Sequence, residues 1–194
     1  MIFPRITTTI LLLALAACGQ KEQSWNGTDI SGAMPALDFR MTRANNGASV
    51  SGADYRGKIA ILYFGYTNCP DVCPTTLADL SDAVAKLGDG AKDVRILFVT
   101  VDPGRDTQGR LKGYVETFGP QVDGLRGTDN AIASLARRYR VSYSTVPAGD
   151  GHPYQVEHSS AVFFFDKTGR ARLVITKTDK TAGIVDDLKR LLAS

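Results

Sequence analysis

The chain has 194 residues, of which 43% are hydrophobic and 22% charged, and its 23 Lys and Arg against 20 Asp and Glu side chains give a net charge of +3. This composition indicates a globular protein with one ordinary domain and a real core. The positive charge is small and forms no basic cluster interleaved with aromatic residues, so we exclude a nucleic-acid-binding surface and expect no nucleic acid among the partners.

The N-terminal segment is predicted to be an export signal. Residues 6–17 are uncharged and mostly apolar, and Arg5 supplies the positive flank. The stretch is shorter than the ~20 residues needed to span a bilayer, and it ends in Leu15-Ala-Ala-Cys18, which resembles a bacterial lipobox. We therefore expect a lipoprotein signal peptide at 1–17 and lipidation of Cys18. An ordinary signal peptide or an uncleaved anchor is the alternative.

This assignment predicts a membrane-anchored lipoprotein of the bacterial cell envelope that faces the periplasm. Residues 18–33 are polar and show no periodicity, so they are predicted to be the lipidated Cys and a flexible tether, followed by one domain at 34–194. Trp25 is the only tryptophan. We expect it to dock on the domain or on lipid headgroups.

The domain alternates strand and helix patterns. Continuous apolar runs predict strands covered on both faces, and apolar residues at helical spacing predict amphipathic helices. In chain order the predictions are a strand at 58–64, a helix at 74–87 stopped by Gly88, a strand at 94–101, helices at 106–118 and 130–139, a hairpin of 160–165 and 171–175, and a closing helix at 182–192. This order resembles a thioredoxin-like α/β fold, and residues 36–56 resemble an N-terminal β-hairpin extension.

Cys69 and Cys73 lie four residues apart, between the first central strand and its helix. Side chains at i and i+4 share one helix face, and the N-terminus of a helix favours the thiolate. With Cys18 assigned to lipid, these are the only thiols of an exported domain, in a compartment where disulfides persist. The pair can therefore close a redox disulfide or hold one soft metal ion.

A third ligand is sought among the two histidines. His158 stands immediately before an apolar strand, where it can lie beside the helix N-terminus, and we interpret it as the ligand. A histidine hydrogen-bonded at a strand start is the alternative. His152 lies in a Gly- and Pro-rich loop and is predicted to be solvated. Two thiolates and one imidazole suit copper, as Cu(I) or Cu(II), better than structural zinc, which requires four closed ligands.

Three runs together resemble the signatures of the Sco/SenC family. They are Phe64–Pro74, Val99–Thr107 and Val156–Ser159, and the resemblance extends over residues 34–192. It implies a thioredoxin-like metallochaperone that assists assembly of the binuclear copper centre of cytochrome c oxidase. The implied partners are the copper-bearing subunit of the oxidase, a copper donor protein and a periplasmic thiol reductase. The family more often has an anchor helix than a lipid anchor.

The resemblance also implies residue roles. Cys69, Cys73 and His158 would bind one copper ion per domain. Asp102 would lie behind them, orienting a ligand or stabilising the loop; simple capping or turn formation after the strand is its alternative role.

Other functions stay open at this point. A thiol-disulfide oxidoreductase that reduces cysteines of the oxidase or of other periplasmic proteins would need Cys69 and Cys73 but not His158. A peroxidase of the same fold is a weaker hypothesis, because the sequence around Cys69 is not a peroxidatic motif. A redox or copper sensor is a further alternative.

Overall fold

The computed structural model describes residues 24–147, 154–178 and 181–194. The predictions for the signal peptide, Cys18 and His152 therefore lie outside the described residues. None of the helices in the described ranges has both the length and the apolar character needed to cross a bilayer.

The described chain contains ten strands and four α-helices. The strands are β1 (Thr28–Asp29), β2 (Arg40–Arg43), β3 (Ser49–Ser51), β4 (Ile59–Gly65), β5 (Val94–Thr100), β6 (Val122–Arg126), β7 (Tyr143–Val146), β8 (Gln155–His158), β9 (Val162–Phe165) and β10 (Ala171–Ile175). The helices are α1 (Val72–Ala85), α2 (Gln108–Glu116), α3 (Asp129–Arg138) and α4 (Thr181–Ala193), and short 3-10 helices lie at Gly52–Tyr55 and Gly88–Asp93.

Eight of the strands form one sheet in the order β1-β10-β9-β4-β5-β6-β2-β3. The central strands β4, β5 and β6 are parallel, and the other pairs are antiparallel. All seven residues of β4 are buried, as expected of a strand covered on both faces. Helices α1 and α4 contact each other and pack over β4 and β5, while α2 packs on β6.

This topology is the predicted thioredoxin-like α/β arrangement. The predicted N-terminal hairpin is present as β2 and β3, and it joins the sheet because β2 pairs with β6. The hairpin of β9 and β10 and the closing helix α4 are also where the sequence predicted them.

Besides β1, which lies in the predicted tether, three strands were not predicted. In β6 a buried Asp123 and Gly124 interrupt the apolar pattern; the carboxylate of Asp123 accepts a hydrogen bond from the Tyr55 hydroxyl at 2.9 Å, which makes its burial tolerable. Strands β7 and β8 are short and mostly polar, and they form a separate two-stranded sheet.

The helix after the cysteine loop begins earlier than the sequence suggested. Helix α1 starts at Val72, so Pro74 lies inside its first turn, where a missing backbone N–H costs nothing because those donors have no partner within the helix. It ends at Ala85, before Gly88, which adopts a φ of 58° and begins a 3-10 helix instead.

The described part of the predicted tether is not free of the domain. Asn26 and Gly27 donate their backbone N–H groups to the buried carboxylate of Asp187 at 3.0 and 2.8 Å. The guanidinium of Arg190 lies 3.7 Å from the centre of the Trp25 ring, so this ring docks on the domain. The segment then pairs with β10 through β1. The short strand β1 and the contacts with distant residues hold this segment in place. Because neither requires a repeating apolar pattern, the sequence shows no periodicity there.

Candidate metal centre

The cysteine loop follows the last residue of β4, at the carboxyl end of the parallel strands, where α/β sheets place their sites. That residue, Gly65, leaves no room for a side chain. A Cβ there would lie 2.5 Å from the Phe98 ring and 2.9 Å from Sγ of Cys73. Glycine at this position therefore allows the first turn of α1 to bring Cys73 against the end of the strand.

The two cysteines lie in different environments although they are only four residues apart, because α1 begins between them at Val72. Cys73 is fully buried in the first turn of α1, while Cys69 is half-buried in the loop. The backbone N–H of Cys73 donates to Sγ of Cys69 at 3.3 Å. Both cysteines are free and do not form a disulfide.

The electrostatics divide the pair into a thiolate and a thiol. A hydrogen bond from the Cys73 side chain, assisted by His158 and the backbone of Cys73 and Asp71, lowers the pKa of Cys69 to about 4 in spite of partial burial. The same sulfur–sulfur interaction, together with burial, raises the pKa of Cys73. At neutral pH the pair therefore carries one negative charge, held mainly on the more exposed sulfur.

His158 completes the cluster from the other side. It is the last residue of β8, and its Nε2 lies 3.2 Å from Sγ of Cys73. Its Nδ1 lies 3.0 Å from the carbonyl oxygen of Ser159. Because a carbonyl only accepts, Nδ1 carries a proton, and Nε2 is the ring nitrogen that faces the sulfurs. The ring is further fixed by Tyr63 and Tyr66, which lie against it edge-on at 6.1 and 6.0 Å between centroids.

The arrangement can hold one metal ion. Ligand atoms of Cys69, Cys73 and His158 lie within 4.8 Å of one another, and within the described ranges this is the one group of three or more potential His, Cys, Asp or Glu ligands. Two sulfurs and one nitrogen form a soft donor set that suits copper. The two sulfurs are also adjacent enough to serve as a dithiol, so the cluster supports metal binding and disulfide exchange alike.

Asp102 makes no hydrogen bond to the three candidate ligands. Its buried carboxylate accepts hydrogen bonds from the Tyr154 hydroxyl at 2.7 Å, from the Arg105 guanidinium and from the Arg105 backbone N–H at 3.4 Å. Its own N–H donates to Thr100 Oγ1 at 3.0 Å. It therefore organises the loop after β5 and acts on a ligand only through other side chains.

Asp106 is a functional residue that the sequence reasoning missed. It is fully buried, and its carboxylate accepts hydrogen bonds from the backbone N–H and the hydroxyl of Thr67 at 3.0 and 2.6 Å and from the hydroxyl of Thr100 at 2.6 Å. It thus pins the start of the cysteine loop to the end of β5. The available signal was its place in the run Val99–Thr107, four residues after Asp102.

Comparisons with known proteins agree with this geometry. Residues 30–193 match the family model described as SCO1/SenC. The mitochondrial SCO2 homolog of Bos taurus is 38% identical over 144 residues, which cover 73% of this chain and 54% of that protein. The chain thus spans about half the length of this relative.

Solved structures with the same fold extend the comparison. The structure of ScoI from Bradyrhizobium japonicum with copper bound has a TM-score of 0.73 and 35% sequence identity, over 80% of this chain and 98% of that one. The apo Sco1 protein from Thermus thermophilus has a TM-score of 0.77 and 31% identity, over 88% of this chain and 99% of that one.

Proposed function

This chain belongs to the SCO1/SenC family, and we propose that it is a copper-binding metallochaperone that helps to assemble the binuclear copper centre of cytochrome c oxidase. The observation that carries the proposal is the cluster of Cys69, Cys73 and His158, whose ligand atoms lie within 4.8 Å of one another. A relative at 35% identity whose structure holds copper supports the choice of metal.

In this proposal copper is the cargo, and the three side chains release it by ligand exchange. Cys73 is buried and Cys69 is half-buried, so an incoming thiol of the acceptor reaches the ion from the Cys69 side. His158 is a neutral ligand whose Nε2 is already aimed at the site. Because the imidazole ligand is neutral, its dissociation from the ion separates no charge. This suits a site that must release its ion.

The proposed location is the bacterial cell envelope, with Cys18 lipidated and the domain facing the periplasm. The proposed partners are a copper donor protein, the copper-bearing subunit of the oxidase and a thiol reductase. The reductase is required because a disulfide between Cys69 and Cys73 removes two of the three ligands.

The second candidate function is thiol-disulfide exchange with the oxidase or with other periplasmic proteins. Two free, adjacent cysteines support it, and so does the lowered pKa of Cys69, which gives a nucleophilic thiolate at neutral pH. This function needs no imidazole, so His158 distinguishes it from copper transfer.

The decisive experiment is copper titration of the reduced protein beside its Cys69→Ala, Cys73→Ala and His158→Ala variants, with His152→Ala as the matched control. We expect one copper per chain and a thiolate-to-Cu(II) charge-transfer band. Even groups that merely orient a ligand change metal affinity by about 10- to 100-fold, so loss of a ligand should weaken binding by about 100-fold or more.

His152→Ala should bind like the wild type. If His158→Ala kept the wild-type affinity and spectrum, the three-ligand site would be wrong. If His158→Ala also restored oxidase assembly in cells while the cysteine variants did not, thiol-disulfide exchange would be the function.

A further inference from the structure

The position of His158 depends on a hairpin that is separate from the main sheet. Strands β7 and β8 pair only with each other in the described part of the chain, with Tyr143 opposite His158. We call these two strands the ligand hairpin. An isolated two-stranded hairpin is at best marginally stable in water. Contacts with the rest of the domain must therefore keep His158 beside the two sulfurs.

Apolar packing and one polar cluster hold the ligand hairpin. The buried side chain of Val156 and the partly buried ring of Tyr143 pack against the core. The polar cluster centres on Arg105, whose guanidinium lies 3.9 Å from the centre of the Tyr154 ring and donates from Nη1 to the Tyr154 carbonyl oxygen at 2.7 Å. The Tyr154 hydroxyl in turn donates to Asp102 at 2.7 Å, and Asp102 pairs with Nε of Arg105. We call Asp102, Arg105 and Tyr154 the clasp.

The clasp connects both parts of the metal site. Tyr154 immediately precedes β8, so it leads directly to His158 at the other end of that strand. On its other side, the Arg105 guanidinium lies 5.7 Å from the centre of the Tyr66 ring, and that ring meets the His158 ring edge-on at 88°. Through Tyr154 the clasp therefore holds the start of β8. Through Arg105 it contacts the Tyr66 ring that packs against the imidazole of His158.

Asp102 and Arg105 of the clasp are largely buried, and Tyr154 is partly exposed. The side chains of Asp102 and Arg105 are 3% and 18% exposed, on the loop that the buried Asp106 ties to the rest of the fold. Tyr154 is 37% exposed. Charge-assisted hydrogen bonds of this kind are about twice as strong as neutral ones, so the clasp can hold the hairpin although one partner lies at the surface.

We propose that Asp102, Arg105 and Tyr154 are positioning residues that keep His158 over the cysteine pair, and that the opening of this clasp sets the rate at which the bound ion is released. The part that concerns the ion rests on the proposed function. The clasp itself contacts none of the three ligand side chains through hydrogen bonds, so its effect on the ion passes through the position of His158.

The first test measures copper dissociation from the reduced, loaded protein into an excess of a Cu(I) chelator. The variants are Tyr154→Phe and Arg105→Gln, and the matched controls are Tyr143→Phe on the other strand and Arg137→Gln on α3. Tyr154→Phe keeps the ring and removes only the hydroxyl, so the fold is retained. We expect release to be roughly tenfold faster in both clasp variants, as for loss of one charge-assisted hydrogen bond, and unchanged in the controls.

The same substitutions in a His158→Ala background test the route of the effect. If the clasp acts through His158, clasp variants release copper no faster than His158→Ala alone. Equal acceleration in both backgrounds, or no acceleration in the wild-type background, would overturn the proposal.

The second test requires no metal. Amide hydrogen exchange of residues 155–158 in the reduced apoprotein should become roughly tenfold faster in Tyr154→Phe than in Tyr143→Phe. Unchanged exchange would show that the clasp does not hold the hairpin. If the wild type bound no copper, the proposed function would fail, while this measurement would still decide whether the clasp exists.

Discussion

The two sulfurs of the site differ in both exposure and charge. Cys73 is enclosed by the end of β4 and the first turn of α1, and Cys69 is half-buried in the loop. The hydrogen bond between them stabilises the thiolate on Cys69 and the thiol on Cys73. The outer sulfur is therefore the nucleophile in an exchange reaction and the first contact for an acceptor, whichever function the pair serves.

This asymmetry predicts selective alkylation of the metal-free, reduced protein. Iodoacetamide should modify Cys69 at least about tenfold faster than Cys73, since the thiolate is the reactive form. Because the pKa of Cys69 lies at about 4, its thiolate is present throughout the neutral range, and the rate should stay nearly constant between about pH 6 and pH 9. It should fall only as the pH approaches 4.

Peptide mapping by mass spectrometry reads each cysteine separately, and Cys69→Ala is the control that isolates Cys73. Faster labelling of Cys73, or a Cys69 rate that rises tenfold per pH unit up to about pH 8.5, would contradict the charge distribution.

At this scale the sequence was informative where chemistry and local position coincide. The cysteine spacing and the place of His158 before an apolar strand were sufficient to predict which three side chains come together. Asp106 and Tyr154 were missed because their roles rest on contacts with Thr67 and Asp102, 39 and 52 residues away. Nothing in the local pattern indicates such pairs, since a buried carboxylate and a surface turn aspartate look alike in sequence.

At the scale of elements, the N-terminal segment shows how a short strand is stabilised by one carboxylate. Asp187 of α4 is 2% exposed and accepts three hydrogen bonds, from the backbone N–H and side-chain amide of Asn26 and from the backbone N–H of Gly27. These contacts hold the chain along α4 before it enters β1. Without them two backbone donors beside the helix lose their partner.

We expect Asp187→Ala to destabilise the domain by about 2–4 kcal/mol, because hydrogen bonds to charged groups contribute about 1.5–3 kcal/mol and unsatisfied donors add a penalty. Urea unfolding measures the loss. The matched control is Asp186→Ala, which removes an exposed carboxylate from the adjacent position of α4.

Fluorescence of Trp25, which lies against Arg190, provides a local readout. Its emission should shift to longer wavelength in Asp187→Ala and stay unchanged in Asp186→Ala. If the two variants unfolded at the same urea concentration, Asp187 would not hold the segment.

The strands and helices that are most deeply buried were the ones that the sequence predicted best. Strands β4 and β5 are continuous apolar runs, and α4 has a clear apolar face, so their patterns follow directly from the core they enter. Strands β7 and β8 expose much of their surface. Their sequences are too short and too polar to show the pattern of a buried strand. For this reason the hairpin that presents His158 was interpreted as a loop.

For the molecule as a whole, the N-terminal segment and the site rest on different elements of the fold. The site gathers at the carboxyl ends of β4 and β5, where Cys69, Cys73 and His158 meet. The N-terminal segment instead enters beside α4, with Ser24 accepting a hydrogen bond from Arg190 at 3.1 Å. With Cys18 lipidated as proposed, residues 19–23 alone join the lipid to the docked segment, a reach of about 17 Å when fully extended. The domain would then work close to the membrane surface.

The same pair of sulfurs cannot hold an ion and form a disulfide at once, and under the proposed function this exclusion gates the carrier by its redox state. The reduced protein should be stabilised by copper, by up to about 2.7 kcal/mol at a free concentration 100 times the dissociation constant, the value for an ion that binds the folded state alone. The oxidised protein should gain nothing, since His158 alone remains as a ligand. Thermal unfolding of both forms, with and without copper, measures the difference, and Cys69→Ala serves as the permanently disulfide-free control.

Conversely, loaded protein should resist oxidation of the pair by diamide for as long as copper stays bound. Equal stabilisation of the oxidised and reduced forms would place the ion elsewhere in the chain and remove the link between the thiol state and the cargo.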